Sequence, residues 1–316
     1  MTTERKLGDS GLATPPLILG GNVFGWTTDR ATSFAVLDAF VAGGGRMIDT
    51  ADVYSLWAPG NVGGESETII GDWLANRGRR DDVLIATKVG MKPDGPGALT
   101  AERITACVEA SLKRLRTDYI DLYYAHRDDA ETPLEITLTT FDQLVRSGKV
   151  RTIGASNYEA NRLQRALEIS NEKSLARYTV LQPHYNLVSR TLFEGPLQDL
   201  CLAKGIAVVP YYGLASGFLT GKYRTKADLA GKARAGAAEK HLNDFGLRVL
   251  AALDQVAAEA NATLAQIALA WLIAQPSVVA PLASATSVPQ VEELLAAMRL
   301  KLTANHLALL NSASAA

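Results

Sequence analysis

Cysteine is scarce in this chain, and neither sign of charge dominates. Two cysteines among 316 residues, Cys107 and Cys201, stand far apart without Cys-x-x-Cys spacing, so we expect two buried thiols and no disulfide framework. The 32 Lys and Arg residues nearly cancel the 33 Asp and Glu residues, which leaves a formal net charge of −1. Nucleic-acid-binding proteins usually present a basic face, and we therefore expect no nucleic-acid partner.

Long apolar runs and two nucleotide-binding motifs are also missing. No run of about 18 apolar residues is present, and the polar N-terminus lacks the apolar core of a signal peptide. The chain is therefore expected to be cytoplasmic and to have no membrane partner. Neither Gly-x-Gly-x-x-Gly nor Gly-x-x-x-x-Gly-Lys-Ser/Thr occurs, which argues against a Rossmann or P-loop nucleotide site.

What is present is enough apolar material for one large core. Apolar residues make up 47% of the chain, and its length suits a single barrel of about 250 residues with insertions. Short β-rich apolar runs alternate with amphipathic stretches. Strands are predicted at 17–20, 47–48, 83–87, 119–124, 150–154, 179–182, 207–210 and 278–282, and helices at 31–42, 67–76, 101–115, 133–145 and 158–169.

Repeated strand–helix units indicate parallel strands joined by crossover helices. This order fits an α/β fold with a closed (β/α)8 TIM barrel, one domain over residues 1–316, better than an open doubly wound sheet. Segments 6–7 and 12–14 flank a Gly-Asp-Ser-Gly turn and predict an N-terminal β-hairpin. Extra helices are expected near the C-terminus, including 304–310. The stretch 211–243 is long and weakly periodic, which is typical of a functional or mobile loop.

Four side chains of different chemistry follow three consecutive predicted strands. Asp49 and Tyr54 follow the second strand, Lys88 the third and His126 the fourth. In a TIM barrel, the C-terminal strand ends carry the active site. Each residue alone has another explanation, since Asp49 could cap the next helix, Lys88 could be a solvated charge and His126 could be structural. Their joint occurrence on consecutive strands indicates one catalytic site.

The four groups suit the reduction of a carbonyl. An oxygen that gains negative charge needs a proton, and Tyr54 is a poor acid at neutral pH because the reference pKa of tyrosine is about 10. We expect the Lys88 ammonium to lower the pKa of Tyr54. Asp49 is expected to be the buried counter-ion of Lys88, and His126 is expected to hold the substrate oxygen by a hydrogen bond.

These residues and their surroundings resemble the aldo-keto reductase family along nearly the whole chain. The shared motifs are GGN at 20–22, DTADVY at 49–54, GGESETIIG at 63–71, TK at 87–88, HRDD at 126–129, GASN at 154–157, QPHYN at 182–186 and LASGFLTGKY at 214–223. The resemblance implies an NAD(P)H-dependent oxidoreductase that reduces an aldehyde, a ketone or a sugar carbonyl to an alcohol. It also implies a catalytic tetrad of Asp49, Tyr54, Lys88 and His126, with Tyr54 as general acid.

By the same resemblance, the nicotinamide cofactor lies across the mouth of the barrel. Ser156, Asn157 and Gln182 would hydrogen-bond the carboxamide, and Tyr211 would stack on the nicotinamide ring. A glycine-rich segment with Lys222 would follow the pyrophosphate. The full set of expected cofactor contacts is Gly21, Asn22, Asp49, Ser156, Asn157, Gln182, Tyr211, Leu214, Ser216, Gly217, Leu219, Lys222, Ser284, Thr286 and Gln290. No metal ion is expected.

The adenosine end of this site departs from the family pattern. Many relatives place a cation at the position of Thr286 and an asparagine at that of Leu294. Ser284, Thr286 and Gln290 offer only neutral donors, beside the N-terminus of a predicted helix. An arginine would bind a 2′-phosphate more strongly. We still expect NADP (as NADPH), because the family uses it, with NAD as the alternative.

Aromatic residues near Tyr54 predict the substrate pocket. Phe24, Trp26 and Trp57 fall in the first two strand–helix loops. Trp73 and Trp271 lie in helical patterns and are expected in the core. The chain ends shortly after its last predicted helix, so an open site is expected. The partner is a small carbonyl compound, and the sequence makes no prediction of the oligomeric state.

Two other functions are open at this point. Potassium-channel β subunits resemble the same family and act mainly as cofactor-bearing partners with little turnover, and they can keep the full tetrad. A lyase on an unrelated barrel would use Lys88 to form a Schiff base, which requires a lysine of lowered pKa in an apolar pocket.

Overall fold

The computed structural model describes residues 3–91, 98–231 and 235–315. Two short strands, β1 (Arg5–Lys6) and β2 (Ala13–Thr14), form an antiparallel hairpin. A larger, parallel sheet follows. Its strands are β3 (Ile18–Gly20), β4 (Met47–Asp49), β5 (Leu84–Val89), β6 (Ile120–Ala125), β7 (Val150–Ser156), β8 (Tyr178–Gln182), β9 (Ala207–Val208) and β10 (Leu282–Ala283).

Backbone hydrogen bonds close this sheet into a barrel. The strand order is β10-β3-β4-β5-β6-β7-β8-β9. The two outer strands meet through the chain around the start of β10, where Val279 N donates to Val208 O at 2.8 Å and Leu282 N donates to Pro210 O at 2.8 Å. The predictions of a (β/α)8 barrel and of an N-terminal hairpin are confirmed.

Helices surround the barrel, and most of them bury one face. They are α1 (Arg30–Ala42), α2 (Glu65–Arg77), α3 (Ala101–Leu115), α4 (Leu134–Arg146), α5 (Ala160–Lys173), α6 (Pro196–Lys204), α7 (Ala235–Glu239), α8 (Asp244–Ala260), α9 (Leu264–Ile273), α10 (Val288–Ala297) and α11 (Ala304–Ala313). In α3, the buried residues Ile104, Val108, Leu112 and Leu115 recur at helical spacing. Thr100 caps this helix by accepting a hydrogen bond from a first-turn N–H.

The core has two layers, and the inner one determines which end of the barrel is free. Alternate strand residues, such as Met47 and Leu84, form a cluster inside the barrel. Leu7 and Leu12 of the hairpin belong to the same inner cluster, so the hairpin covers the end where the strands begin. The end where the strands finish is left for a site.

Three predicted segments differ from the structure. β9 (Ala207–Val208) ends two residues before the predicted strand 207–210 does. β10 (Leu282–Ala283) shares only Leu282 with the predicted strand 278–282, and it begins directly after Pro281, which has no N–H to donate to a neighbouring strand. The stretch 211–243 is not one irregular loop, since it contains the 3-10 helices Ala215–Thr220 and Lys226–Leu229 and also α7; residues 232–234 lie outside the described residues.

Among the described helices, no single one is long and apolar enough to cross a membrane, and only the pair α8 and α9, bent by 94°, reaches that length and composition.

Candidate active site

Strand alternation brings the four predicted catalytic side chains together. In β4, Met47 lies in the inner cluster, so Asp49, two residues on, has the same orientation. Lys88 repeats the inward positions of β5, and His126 comes directly after the last residue of β6. The three strands are parallel neighbours, so their carboxyl ends meet. Tyr54 reaches the same place from the loop after β4.

Lys88 is the centre of the site, and all three of its ammonium protons have acceptors. Nζ donates to Asp49 Oδ1 at 2.5 Å, to Thr50 O at 2.7 Å and to Tyr54 Oη at 2.9 Å. The side chains of Lys88 and Asp49 are 0% and 1% exposed. The predicted role of Asp49 as buried counter-ion is confirmed. The alternative that Lys88 is a solvated charge is wrong.

Asp49 is further held by a neighbouring strand. Gln182 Nε2, at the end of β8, donates to Asp49 Oδ2 at 2.9 Å. Burial raises the pKa of Asp49 and lowers that of Lys88, and the ion pair opposes both shifts. Because the carboxylate accepts side-chain donors on both oxygens, the alternative that Asp49 caps a helix is not supported.

The pKa of Tyr54 moves in the direction opposite to our expectation. Burial, followed by the Asp49 carboxylate, raises it well above the ordinary value. The expected lowering is therefore not the net result, because removal of the phenol from water costs the phenolate more than the neutral phenol, and this outweighs the stabilisation of the phenolate by Lys88. Tyr54 consequently keeps its proton. Lys88 occupies one lone pair of the oxygen, and Asp49 Oδ1 is 3.5 Å away, which is too long for a strong hydrogen bond.

His126 is a neutral imidazole in this environment. Burial first, and then the charges of Lys88 and Arg127, lower its pKa well below the ordinary value. Its Nδ1 is buried and has no hydrogen-bond partner among the described residues. The ring stands 6.1 Å from the Tyr54 ring. A neutral imidazole beside the phenol can hydrogen-bond a substrate oxygen through its other ring nitrogen, Nε2.

The residues expected at the carboxamide of the cofactor form one connected group. Asn157 Nδ2 donates to His126 O at 2.9 Å and to Ser156 Oγ at 3.1 Å. Tyr211 Oη donates to Asn157 Oδ1 at 2.7 Å. Ser156 Oγ donates to the backbone oxygen of Gln182 at 2.8 Å. Amide and hydroxyl groups are therefore concentrated beside the tetrad, which is the chemistry that a neutral carboxamide requires.

The segment expected to follow the pyrophosphate is a turn of left-handed residues with a lysine folded over it. Ala215, Ser216 and Gly217 all have positive φ, at 47°, 57° and 92°. Lys222 Nζ lies 3.0 Å from where a Cβ on Gly217 would be, so the ammonium folds back over this turn. A cation above such a turn suits a phosphate group. Leu214 is partly exposed beside it, and Leu219 is buried.

The remaining expected cofactor residues lie in the loops after β3 and β10, next to this segment around the mouth of the barrel. Ser284 Oγ donates to Asn22 Oδ1 at 2.6 Å, which joins the loop after β10 to the loop after β3. Gly21 adjoins this pair and is buried. Thr286 donates to Gln290 Oε1 through both N, at 2.9 Å, and Oγ1, at 3.2 Å. The group is neutral throughout, as the sequence predicts.

The three predicted substrate residues do not all lie together. Trp26 and Trp57 pack edge to face at 5.6 Å, and Trp57 stands 5.9 Å from the Tyr54 ring. Trp57 is 48% exposed, so it offers an aromatic wall beside the proton donor. Phe24 is instead fully buried in the core. Its predicted place on the pocket wall is corrected, because it has no surface that a substrate could touch.

Sequence analysis missed two rings on the other side of Tyr211. His184 stacks against Tyr211 at 5.2 Å, and Tyr212 meets His184 edge on at 5.3 Å. Burial lowers the pKa of His184 to about 4, so this imidazole is neutral as well. The QPHYN motif contained His184, but a single histidine after a strand gave no signal of a ring partner.

A buried acid next to the site gives a first testable prediction. Asp52 Oδ1 is buried without a hydrogen-bond partner among the described residues. Burial, with help from Glu67, raises the pKa of Asp52 to about 7. The folded protein therefore binds more protons than the unfolded chain between about pH 4 and pH 7, so this group makes stability fall as pH rises through that window. Above about pH 7, Asp52 is ionised, and the folded protein bears the full free-energy cost of burying this charge.

Asp52→Asn is therefore expected to raise the free energy of unfolding by about 1–3 kcal/mol at about pH 8. The gain should vanish near pH 4. Urea unfolding at both pH values measures it. Asp81→Asn, at an exposed acid, is the control and should change stability by less than about 0.5 kcal/mol. An Asp52→Asn variant that is less stable than wild type at high pH would show that the carboxylate is not under strain.

Metal chemistry has no obvious place in the described residues. No group of three or more His, Cys, Asp or Glu side chains there is arranged to hold a metal ion. Both thiols were expected to be buried; Cys201 is buried, but Cys107 is partly exposed. Burial raises the pKa of Cys201 to about 12 and that of Cys107 to about 11. Neither is a reactive thiolate at neutral pH.

Comparison with known proteins agrees with this fold. The model of the aldo/keto reductase family matches residues 16–315. An uncharacterized oxidoreductase, YrpG, of Bacillus subtilis is 35% identical over 96% of this chain and 94% of its own length. A probable voltage-gated potassium channel subunit beta of Oryza sativa is 33% identical over 93% and 90%. An L-glyceraldehyde 3-phosphate reductase of Escherichia coli is 31% identical over 93% and 87%. A family match from the first barrel strand to the last helix, with relatives of this identity along nearly the whole chain, shows that the chain belongs to the aldo/keto reductase family of oxidoreductases.

Proposed function

We propose that this protein uses NAD(P)H to reduce an aldehyde or ketone to an alcohol, with Tyr54 as general acid. The observation that supports this most is the hydrogen bond from Lys88 Nζ to Tyr54 Oη at 2.9 Å, inside a buried site. Because Lys88 donates to Tyr54 Oη, the phenol's own proton points elsewhere, and it has no strong hydrogen-bond acceptor in the protein. A carbonyl oxygen placed against Tyr54 and His126 would supply that acceptor.

The protein's own groups account for the proton in this reaction. Ser156, Asn157, Gln182 and Tyr211 would hold the nicotinamide of the cofactor, which would supply a hydride to the carbonyl carbon. As charge develops on the oxygen, Tyr54 Oη donates its proton and becomes a phenolate. Lys88, which already points a proton at this oxygen, stabilises the phenolate, and Asp49 keeps Lys88 charged. His126 holds the same substrate oxygen from the other side, and water later returns a proton to Tyr54.

A turnover screen tests the proposal. We expect oxidation of NADPH, or of NADH, when the protein meets members of a panel of aliphatic, aromatic and sugar carbonyls. The family also contains a relative named as a channel subunit, so a cofactor-binding role with little turnover is the second candidate. Tight cofactor binding without oxidation by any carbonyl of the panel would favour that candidate.

The geometry argues against a lyase that forms a Schiff base on Lys88. Its lowered pKa has the direction that such a mechanism needs, but the amine has no exposure and three oxygen acceptors. A substrate carbonyl could reach this amine only if these hydrogen bonds were broken. Borohydride should therefore not trap a substrate carbonyl on Lys88, and mass spectrometry of the treated protein would detect such a trap.

Cofactor choice gives a second prediction. If the 2′-phosphate of NADPH lies over Thr286, then Thr286→Arg should bind NADPH more tightly. A charge-assisted contact contributes roughly 1.5–3 kcal/mol against about 1 for a neutral hydroxyl. The expected gain is about 1 kcal/mol, or several-fold in dissociation constant, and NADH should gain nothing.

Titration of both cofactors by quenching of protein fluorescence measures this difference. Thr105→Arg adds the same charge on the exposed face of α3 and should change neither affinity. Equal changes for NADH and NADPH in Thr286→Arg would place the 2′ position elsewhere. A wild-type preference for NADH would mean that the neutral group at Ser284, Thr286 and Gln290 selects NAD.

A further inference from the structure

The hydroxyl of Ser66, the second residue of α2, forms its hydrogen bonds outside its own helix. Ser66 Oγ donates to Gly21 O at 2.8 Å and accepts from Thr50 Oγ1 at 2.8 Å. Gly21 follows β3 and Thr50 follows β4, and these strands are parallel neighbours. Ser66 and Thr50 are fully buried, so water cannot replace either contact unless the structure opens. One hydroxyl therefore joins the ends of two barrel strands.

Each end of this bridge leads directly to the buried ion pair. Thr50 O accepts from Lys88 Nζ at 2.7 Å, so the residue that Ser66 contacts is one of the three acceptors of the ammonium. On the other side, Gly21 N donates to Asp49 O at 2.7 Å. A Cβ on Gly21 would lie 2.9 Å from Ser66 Oγ and 3.1 Å from Asp49 O, so a larger residue would push this contact apart.

The next residue of α2 holds the other strand of the ion pair. Glu67 is fully buried, and its Oε1 accepts from Thr87 Oγ1 at 2.6 Å. Thr87 directly precedes Lys88 in β5. Arg114 Nε donates to the second carboxylate oxygen of Glu67 at 2.6 Å, so this buried charge is paired. Adjacent residues of one helix therefore hold the chain beside each partner of the ion pair.

We propose that Ser66 is a positioning residue for the reduction, which keeps Thr50 O against Lys88 and fixes Gly21 at the expected cofactor site. This inference rests on the proposed carbonyl reduction and adds a residue to its machinery. If Thr50 O moves, the Lys88 ammonium loses one of its three fixed acceptors and no longer points as firmly at Tyr54 Oη. A shift of Gly21 would move the cofactor in the same step.

Single-turnover kinetics measure the effect on hydride transfer itself. The cofactor-loaded protein is mixed with the carbonyl of the panel that wild type reduces fastest. Ser66→Ala should slow hydride transfer about tenfold, because a misplacement of about 1 Å can cost up to about a hundredfold. Thr50→Val removes the same hydrogen bond from its other side and should slow the step similarly. Thr50→Ser retains the hydroxyl and should recover most of the rate that Thr50→Val loses.

A serine of α1 provides a matched control for a purely structural role. Ser33 is fully buried, and its Oγ donates to Asp29 O at 2.6 Å and hydrogen-bonds Thr28 Oγ1 at 2.9 Å. Both partners belong to the loop before α1. Ser33→Ala and Ser66→Ala should each lower the midpoint of thermal unfolding by about 2–6 °C, but Ser33→Ala should transfer hydride as fast as wild type.

Three results would overturn the proposal. The first is hydride transfer within about twofold of wild type in Ser66→Ala or in Thr50→Val. The second is an equal slowing in Ser33→Ala. The third comes from the double variant of Ser66→Ala and Thr50→Val, which should be little slower than either single variant because the two hydroxyls act through one contact. A rate reduced by the product of both losses would mean that they act separately.

Failure of the proposed function would be recognised separately. NMR of protein with 13C at the lysine Cε follows Lys88 without any substrate, and Lys88→Met assigns its signal. Ser66→Ala should shift this signal, and Ser33→Ala should leave it in place. If no carbonyl is reduced, carbonyl reduction is refuted. The shift would still support the hold of Ser66 on the surroundings of Lys88, and an unchanged signal would refute it.

Discussion

Tyr54→Phe is expected to lower carbonyl turnover by about a hundred- to ten-thousand-fold, because general acid catalysis contributes that much. The variant loses the hydroxyl that Lys88 contacts and keeps the ring that packs near Trp57. Cofactor affinity should therefore remain close to wild type. Steady-state kinetics measure the first quantity, and quenching of protein fluorescence by the cofactor measures the second.

A matched variant shows whether the effect belongs to this position. Tyr119→Phe removes a hydroxyl from a tyrosine under the Arg80 guanidinium, just before β6 begins and so at the end of the barrel opposite the site, and should turn over like wild type. Turnover of Tyr54→Phe within a few-fold of wild type would contradict the assignment of the general acid. Loss of cofactor binding in the same variant would instead assign Tyr54 to the cofactor site.

Lys88→Met is expected to reduce both activity and stability. It removes the cation that stabilises the Tyr54 phenolate, and it leaves the Asp49 carboxylate buried with Gln182 as its remaining close side-chain donor. Breaking a buried pair from one side costs about 3–5 kcal/mol. We therefore expect a loss of that size in the free energy of unfolding by urea, together with a turnover at least as low as that of Tyr54→Phe.

The double variant identifies the cause of the instability. Adding Asp49→Asn removes the unpaired charge, so part of the stability should return while the activity does not. Lys149→Met breaks an exposed pair with Glu109 and should cost less than about 1 kcal/mol. A double variant no more stable than Lys88→Met would mean that Asp49 and Lys88 do not stabilise each other.

Much of this fold could be predicted from the sequence, because the regular spacing of apolar residues indicates where helices and strands form. The spacing of Ile104, Val108, Leu112 and Leu115 predicted α3 with the bounds that the structure has. β10 was less predictable, since Pro281 interrupts an apolar run without ending the barrel. The sequence shows where a strand can form. It does not show which other strand will lie beside it and form the hydrogen bonds that close the barrel.

The sequence predicted which residues form the site, but it did not predict the directions of all their pKa shifts. Asp49, Lys88 and His126 follow from strand ends, because parallel strands finish at one rim. The direction of the Tyr54 pKa did not follow, since it depends on how deeply the phenol is buried. Phe24 was wrongly predicted to line the pocket, because an aromatic side chain in a loop can turn either into the core or toward the pocket, and the sequence does not show which.

Transfer of a labelled hydride tests the central claim most directly. NADPH and NADH carrying deuterium at the transferable position are incubated with wild-type protein and the carbonyl panel, and the products are analysed by mass spectrometry. We predict an alcohol with one deuterium on the former carbonyl carbon, at least a hundredfold less of it with Tyr54→Phe, and one oxidised cofactor per alcohol formed. Absence of labelled alcohol from every carbonyl with both cofactors, while the cofactors bind, would contradict the account.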